Sequence, residues 1–227
     1  MLSRRGDRTI GPALVELVVL FIGVPLALRL WPGSVPKLPT LILALAYVLA
    51  RLMLFTRETG GWKWLVASTF GRPQARWLRG VLLRALVVFF VCLGLVMLLS
   101  PATAFALPRQ RPGFWPVVLV LYPVLSVLPQ EIIFRLYFFQ RFEKVCHGYR
   151  PLLILLNAFC FSWLHIIYIG WFAMVSTFVA GFFLARSYAR SSRADGGRTL
   201  LPVLVEHSLY GQIIFSVGLG RYFYLTA

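Results

Sequence analysis

At 227 residues, 59% of them hydrophobic and with a mean hydropathy of +0.80, the chain carries too much apolar surface for one water-facing domain; soluble domains are about 45–50% apolar. Its formal charge of +16 does not mark a nucleic-acid binder, because the cations lie in gaps between apolar runs, where loops flanking membrane spans carry Lys and Arg. Cys92, Cys146 and Cys160 have no metal-ligand spacing, and their odd number argues against a disulfide framework.

The chain opens with Arg4, Arg5 and Arg8, followed by an apolar run over 11–30. That run is too long for a signal h-region and no small-residue cleavage site follows it, so it reads as a retained first span. About 20 residues at ~1.5 Å each cross a ~30 Å hydrocarbon core. By that measure spans are expected over 12–30, 38–55, 81–99, 114–139, 151–167, 171–187 and 200–218. The segment 58–80 is amphipathic, with Trp62, Trp64 and Trp77 among its arginines, and is expected along the membrane interface. The span over 114–139 holds Pro116, Pro123 and Pro129, so a kink or tilt is expected there. With the N-terminus in the cytoplasm, the inside segments hold fifteen Lys or Arg and the outside ends five, as the positive-inside bias requires. The expected fold class is all-α: a polytopic membrane helix bundle of about seven transmembrane helices, N-terminus cytoplasmic. Its expected location is the cell membrane, as a multi-pass protein of a bacterial cytoplasmic membrane.

A charged side chain at the bilayer centre costs roughly 2.5–3.5 kcal/mol, so each one needs a reason. Glu16, Arg51 and Arg84 lie near span ends and are expected to reach the interface. Glu131, Arg135, His165, Glu206 and His207 are deeper and confined to the fourth, fifth and seventh spans. Glu131 and Arg135 are four apart, so they share a helix face and can pair. Glu206 and His207 are adjacent and point about 100° apart. A carboxylate and an imidazole can hold and deprotonate a water, while a second imidazole stabilises the oxyanion at an attacked carbonyl. That chemistry is peptide hydrolysis. Two histidines and a glutamate also suffice for a three-ligand zinc site, but HExxH is absent, and no cofactor or metal is expected.

Three short motifs on separate spans carry a family resemblance. Gln130-Glu131-Ile132-Ile133-Phe134-Arg135, Phe161-Ser162-Trp163-Leu164-His165 and His207-Ser208-Leu209-Tyr210-Gly211 resemble the EExxxR, FxxxH and HxxxN motifs of the CAAX prenyl endopeptidases and their bacterial relatives, the CPBP or Abi proteins. The resemblance covers about 122–215. It implies a CAAX-protease-like membrane core over 114–218, preceded over 1–113 by further membrane helices and the interfacial segment, in one integrated membrane domain. It implies an intramembrane glutamate endopeptidase that cuts a membrane-associated or lipidated peptide. Glu131, His165 and His207 are then the catalytic set. Arg135, Gln130 and Phe161 support the site, and His207 and Gly211 face the oxyanion or substrate. The chain departs from the family at two places: Gln130 stands where the water-activating Glu is expected, and Gly211 where the Asn is. Gln cannot act as a general base, so Glu131, or Glu206 across the helix interface, has to replace the missing acid. Two alternatives stay open: an inactive family member serving as a membrane scaffold or immunity-type partner, and a proton-coupled transporter. The second also explains intramembrane Glu and His, but the repeats it predicts are not visible.

Overall fold

The computed structural model describes residues 3–31, 37–73, 77–168 and 170–223. Arg76, one of the cations behind the charge bias, lies outside the described residues, as do the side chains of Arg4, Arg5, Arg8 and Lys37. In chain order the main helices are α1 (Ile10–Leu30), α2 (Leu38–Phe55), the short α3 (Gly61–Phe70), α4 (Trp77–Leu99), α5 (Trp115–Phe142), α6 (Arg150–Ile167), α7 (Trp171–Ala189) and α8 (Leu201–Val217). Six of them are long and apolar enough to cross a membrane. The seventh expected span, α8, is also helical but has only 17 residues. Among the described residues there is no strand, only an isolated bridge between Ser192 and Arg198. An all-α polytopic bundle results, as the hydropathy pattern requires: in lipid, a backbone must satisfy its polar groups within the segment.

The bundle is apolar outside as well as inside. Leu43, Val87, Phe90, Leu98 and Val120 are exposed, an arrangement that makes sense only against hydrocarbon. Inside, Ala13, Leu52, Leu65, Phe138, Leu153, Leu184 and Val203 join seven helices in one core. The helix α6 packs along α7, and α8 packs along α4. At the first of these contacts Gly181 replaces a side chain with backbone: a Cβ there would sit 3.0 Å from the Phe161 ring and 3.3 Å from Ala158 Cα. Small residues let membrane helices approach in this way.

Two helices are interrupted by wide, π-type turns. In α1 the turn covers Leu17–Gly23, and in α5 turns cover Pro123–Val127 and Ile132–Tyr137. Proline has no N–H to donate, so a ladder containing Pro123 and Pro129 must re-route its bonds locally. The helix α3 buries Leu65, Ser68 and Thr69 and leaves Trp62 exposed. It is tied to the segment before α8 by Leu200 N–H to Ser68 O at 2.8 Å.

Candidate active site

The wide turn Ile132–Tyr137 starts directly after Glu131 and contains Arg135. Both side chains are fully buried, and Arg135 Nε lies 3.2 Å from Glu131 Oε2. None of the three guanidinium nitrogens, nor Oε2, makes a directed hydrogen bond among the described residues. The pair is therefore held by charge on charge, together with the Phe161 ring, whose centroid is 4.5 Å from the guanidinium carbon. A cation over an aromatic face is attracted by the ring quadrupole. Asn157 donates through Nδ2 to the Phe134 carbonyl, inside the same turn. It satisfies a backbone acceptor where the regular ladder is broken.

Glu131 uses its other oxygen on α8. Its Oε1 lies 2.6 Å from His207 Nδ1, close for a charge-assisted bond in which the imidazole donates. On α6, His165 Nδ1 lies 2.7 Å from the Phe161 carbonyl. A carbonyl can only accept, so Nδ1 carries the proton and Nε2 keeps its lone pair. The two histidines flank one ring: the Phe161 centroid is 5.0 Å from that of His165 and 5.5 Å from that of His207. Phe161 thus touches both histidines and the arginine, and Gly181 leaves room for it.

Three sequence expectations are corrected by the packing. Glu206 does not turn to the histidines. Its carboxylate takes two bonds from Arg84, at 2.6 and 2.9 Å, one from Ser187 at 2.5 Å and one from Tyr210 at 2.6 Å. Arg84 accordingly does not run free to the interface. Nor does Glu16: it accepts from Tyr47, Tyr137 and Arg141, with Arg51 at 3.7 Å. Apart from Tyr210, one turn on from Glu206 in α8, the partners come from other helices, which the sequence of one helix does not display. Gln130 donates to Ser126 Oγ at 2.8 Å, one turn back on its own helix, and its Oε1 is buried without a hydrogen-bond partner.

Gly211 sits one turn after His207, and the space its side chain would take is filled. A Cβ there would lie 2.3 Å from Tyr122 Cε1 and Oη. The Tyr122 ring centroid is 6.3 Å from that of His207. Among the described residues no hydrogen bond satisfies the Tyr122 hydroxyl. Sequence reading missed Tyr122 and Asn157; an aromatic residue and an amide in apolar helices carry no signal until their helices are docked. Among the described residues no three His, Cys, Asp or Glu converge to hold a metal ion.

These features define a class, a polytopic helical membrane protein with a buried carboxylate–histidine pair and a second histidine beside it. Residues 112–212 match the family described as type II CAAX prenyl endopeptidase Rce1-like. That segment carries the whole cluster, so the part of the chain that holds it is similar to a family of CAAX-type intramembrane proteases. No curated protein and no solved structure matches the chain.

Proposed function

We propose that this protein is an intramembrane endopeptidase that hydrolyses a peptide bond in a membrane-associated or lipidated substrate, with its N-terminus on the cytoplasmic side. The observation that carries the reading is the 2.6 Å contact between Glu131 and His207, with His165 Nε2 left open across Phe161. In this mechanism His165 takes a proton from water as its oxygen bonds to the scissile carbonyl carbon. It returns the proton to the leaving amine as the C–N bond breaks. Glu131 holds His207 in position through Nδ1, and in the reacting form of the site, with both ring nitrogens protonated, His207 donates its Nε2–H to the developing oxyanion. Arg135 balances the buried charge of Glu131. The Tyr122 hydroxyl, on a ring 6.3 Å from that of His207 and without a hydrogen bond among the described residues, is the second oxyanion donor. It occupies the place left open by Gly211.

The test is cleavage of a farnesylated CAAX-type peptide and of single-span membrane peptides by purified protein in detergent. Wild type should release product, while Glu131→Gln, His165→Ala and His207→Ala should not. Retained cleavage in all three variants refutes the mechanism. One observation favours a second reading, a non-catalytic scaffold: Gln130 is bonded to its own helix, and the one remaining carboxylate is held between Arg135 and His207. A folded wild-type protein that cleaves no probe of either kind would favour the scaffold.

A further inference from the structure

Away from the catalytic cluster, a groove of about 380 Å³ opens where α4 begins, α7 ends and α8 begins. Trp77, Arg84, Arg186, Ser187, Arg190 and Pro202 line it. We infer that this groove is a binding site for the phosphate headgroup of an anionic phospholipid, with the acyl chains lying along α4 and α7.

Charge is the first argument. Arg84 spends Nε and one terminal nitrogen on Glu206 and Ser187. Its Nη1 lies beside the groove residue Gly80. Arg186 and Arg190 are exposed, and among the described residues neither has a carboxylate within ion-pair distance. The start of α8, at Pro202, adds the positive end of a 17-residue helix. Three guanidinium groups with one carboxylate between them leave a net positive groove, and guanidinium forks match phosphate oxygens.

The second argument selects a lipid over a free ion. On α7 the residues Val179, Phe183 and Arg186 follow helical spacing down one face, which Arg190 at the helix C-cap continues. On α4, Trp77, Arg84, Val87 and Val91 do the same. On both helices the cations lie at the groove end, while Val87, Val91, Val179 and Phe183 are exposed below them. Each stripe passes from cation to bare hydrocarbon, in the order in which a phospholipid passes from phosphate to acyl chain. Trp77 at the rim suits the interfacial level.

The experiment uses the delipidated full chain in detergent, with binding read by native mass spectrometry. Dioctanoyl phosphatidylglycerol is the probe, dioctanoyl phosphatidylcholine the zwitterionic control and inorganic phosphate the free-anion control. Phosphatidylglycerol should bind one saturable site at least about tenfold more tightly than phosphatidylcholine. The doubly substituted Arg186→Gln/Arg190→Gln protein should lose about thirtyfold in that affinity, the change expected of two interfacial cations. Arg109→Gln/Arg111→Gln, beyond the other end of α4, should retain it. The inference is overturned if the two lipids bind alike, if the groove variant binds as wild type does, or if the Arg109/Arg111 variant loses as much. Inorganic phosphate binding as tightly as phosphatidylglycerol overturns the lipid assignment and leaves a free-anion site.

Discussion

Replacing Glu131 with Gln removes the anion that faces Arg135 at 3.2 Å in a site where both side chains are fully buried. The arginine then keeps only the Phe161 face, 4.5 Å away, as compensation for its charge. Breaking one side of a buried ion pair costs about 3–5 kcal/mol, because the other charge is stranded. The variant should therefore unfold earlier as well as lose cleavage. Removing both charges, in Glu131→Gln/Arg135→Met, takes away the stranded cation and should recover most of that stability without recovering any cleavage. Thermal unfolding followed by tryptophan fluorescence in detergent gives the stability, and release of product from the peptide probes gives the activity. A stability cycle of wild type, both single variants and the double variant isolates the coupling. A Glu131→Gln protein as stable as wild type, or a double variant no more stable than the single one, would show that the pair does not balance charge as argued.

Other consequences are open to the same assays. His165→Ala and His207→Ala should each lower cleavage by about 10²–10⁴-fold, the range for loss of a positioned acid–base group, with expression unchanged. Tyr122→Phe should lower kcat by about 10²–10³-fold, as loss of one oxyanion donor does, with little effect on KM; a change in KM alone would remove Tyr122 from the oxyanion. Gly211→Ala should act in the same direction, because its Cβ would meet the Tyr122 ring at 2.3 Å, and the effect should be partly relieved in Tyr122→Ala. Glu206→Gln should cost stability, about 1–3 kcal/mol per charged hydrogen bond weakened, because Arg84, Ser187 and Tyr210 all donate to that carboxylate. Unchanged thermal unfolding in this variant would contradict the network.

What the amino-acid sequence by itself determined was everything that depends on one helix at a time. Hydropathy located the spans, because burial of a whole helix in lipid is a property of its composition. The four-residue spacing put Glu131 beside Arg135, and the FxxxH spacing put Phe161 beside His165, because neighbours on a helix face are set by its pitch. The place of both histidines within apolar runs was legible from hydropathy, and the loss of the expected acid at Gln130 only from the resemblance to the EExxxR motif. Tertiary structure decided the pairing between helices. Glu131 meets His207 across 76 residues of chain, Arg84 meets Glu206 across 122, and Arg141 meets Glu16 across 125. These contacts depend on how far each helix is rotated about its axis and slid along it. In this chain prolines and wide turns reset that rotation within α1 and α5, so a regular 3.6-residue reading carries the wrong phase past each turn. Glu206 was therefore legible as an intramembrane acid but not as the partner of Arg84, and Tyr122 was not legible at all. Its place over Gly211 exists only once α5 and α8 have docked.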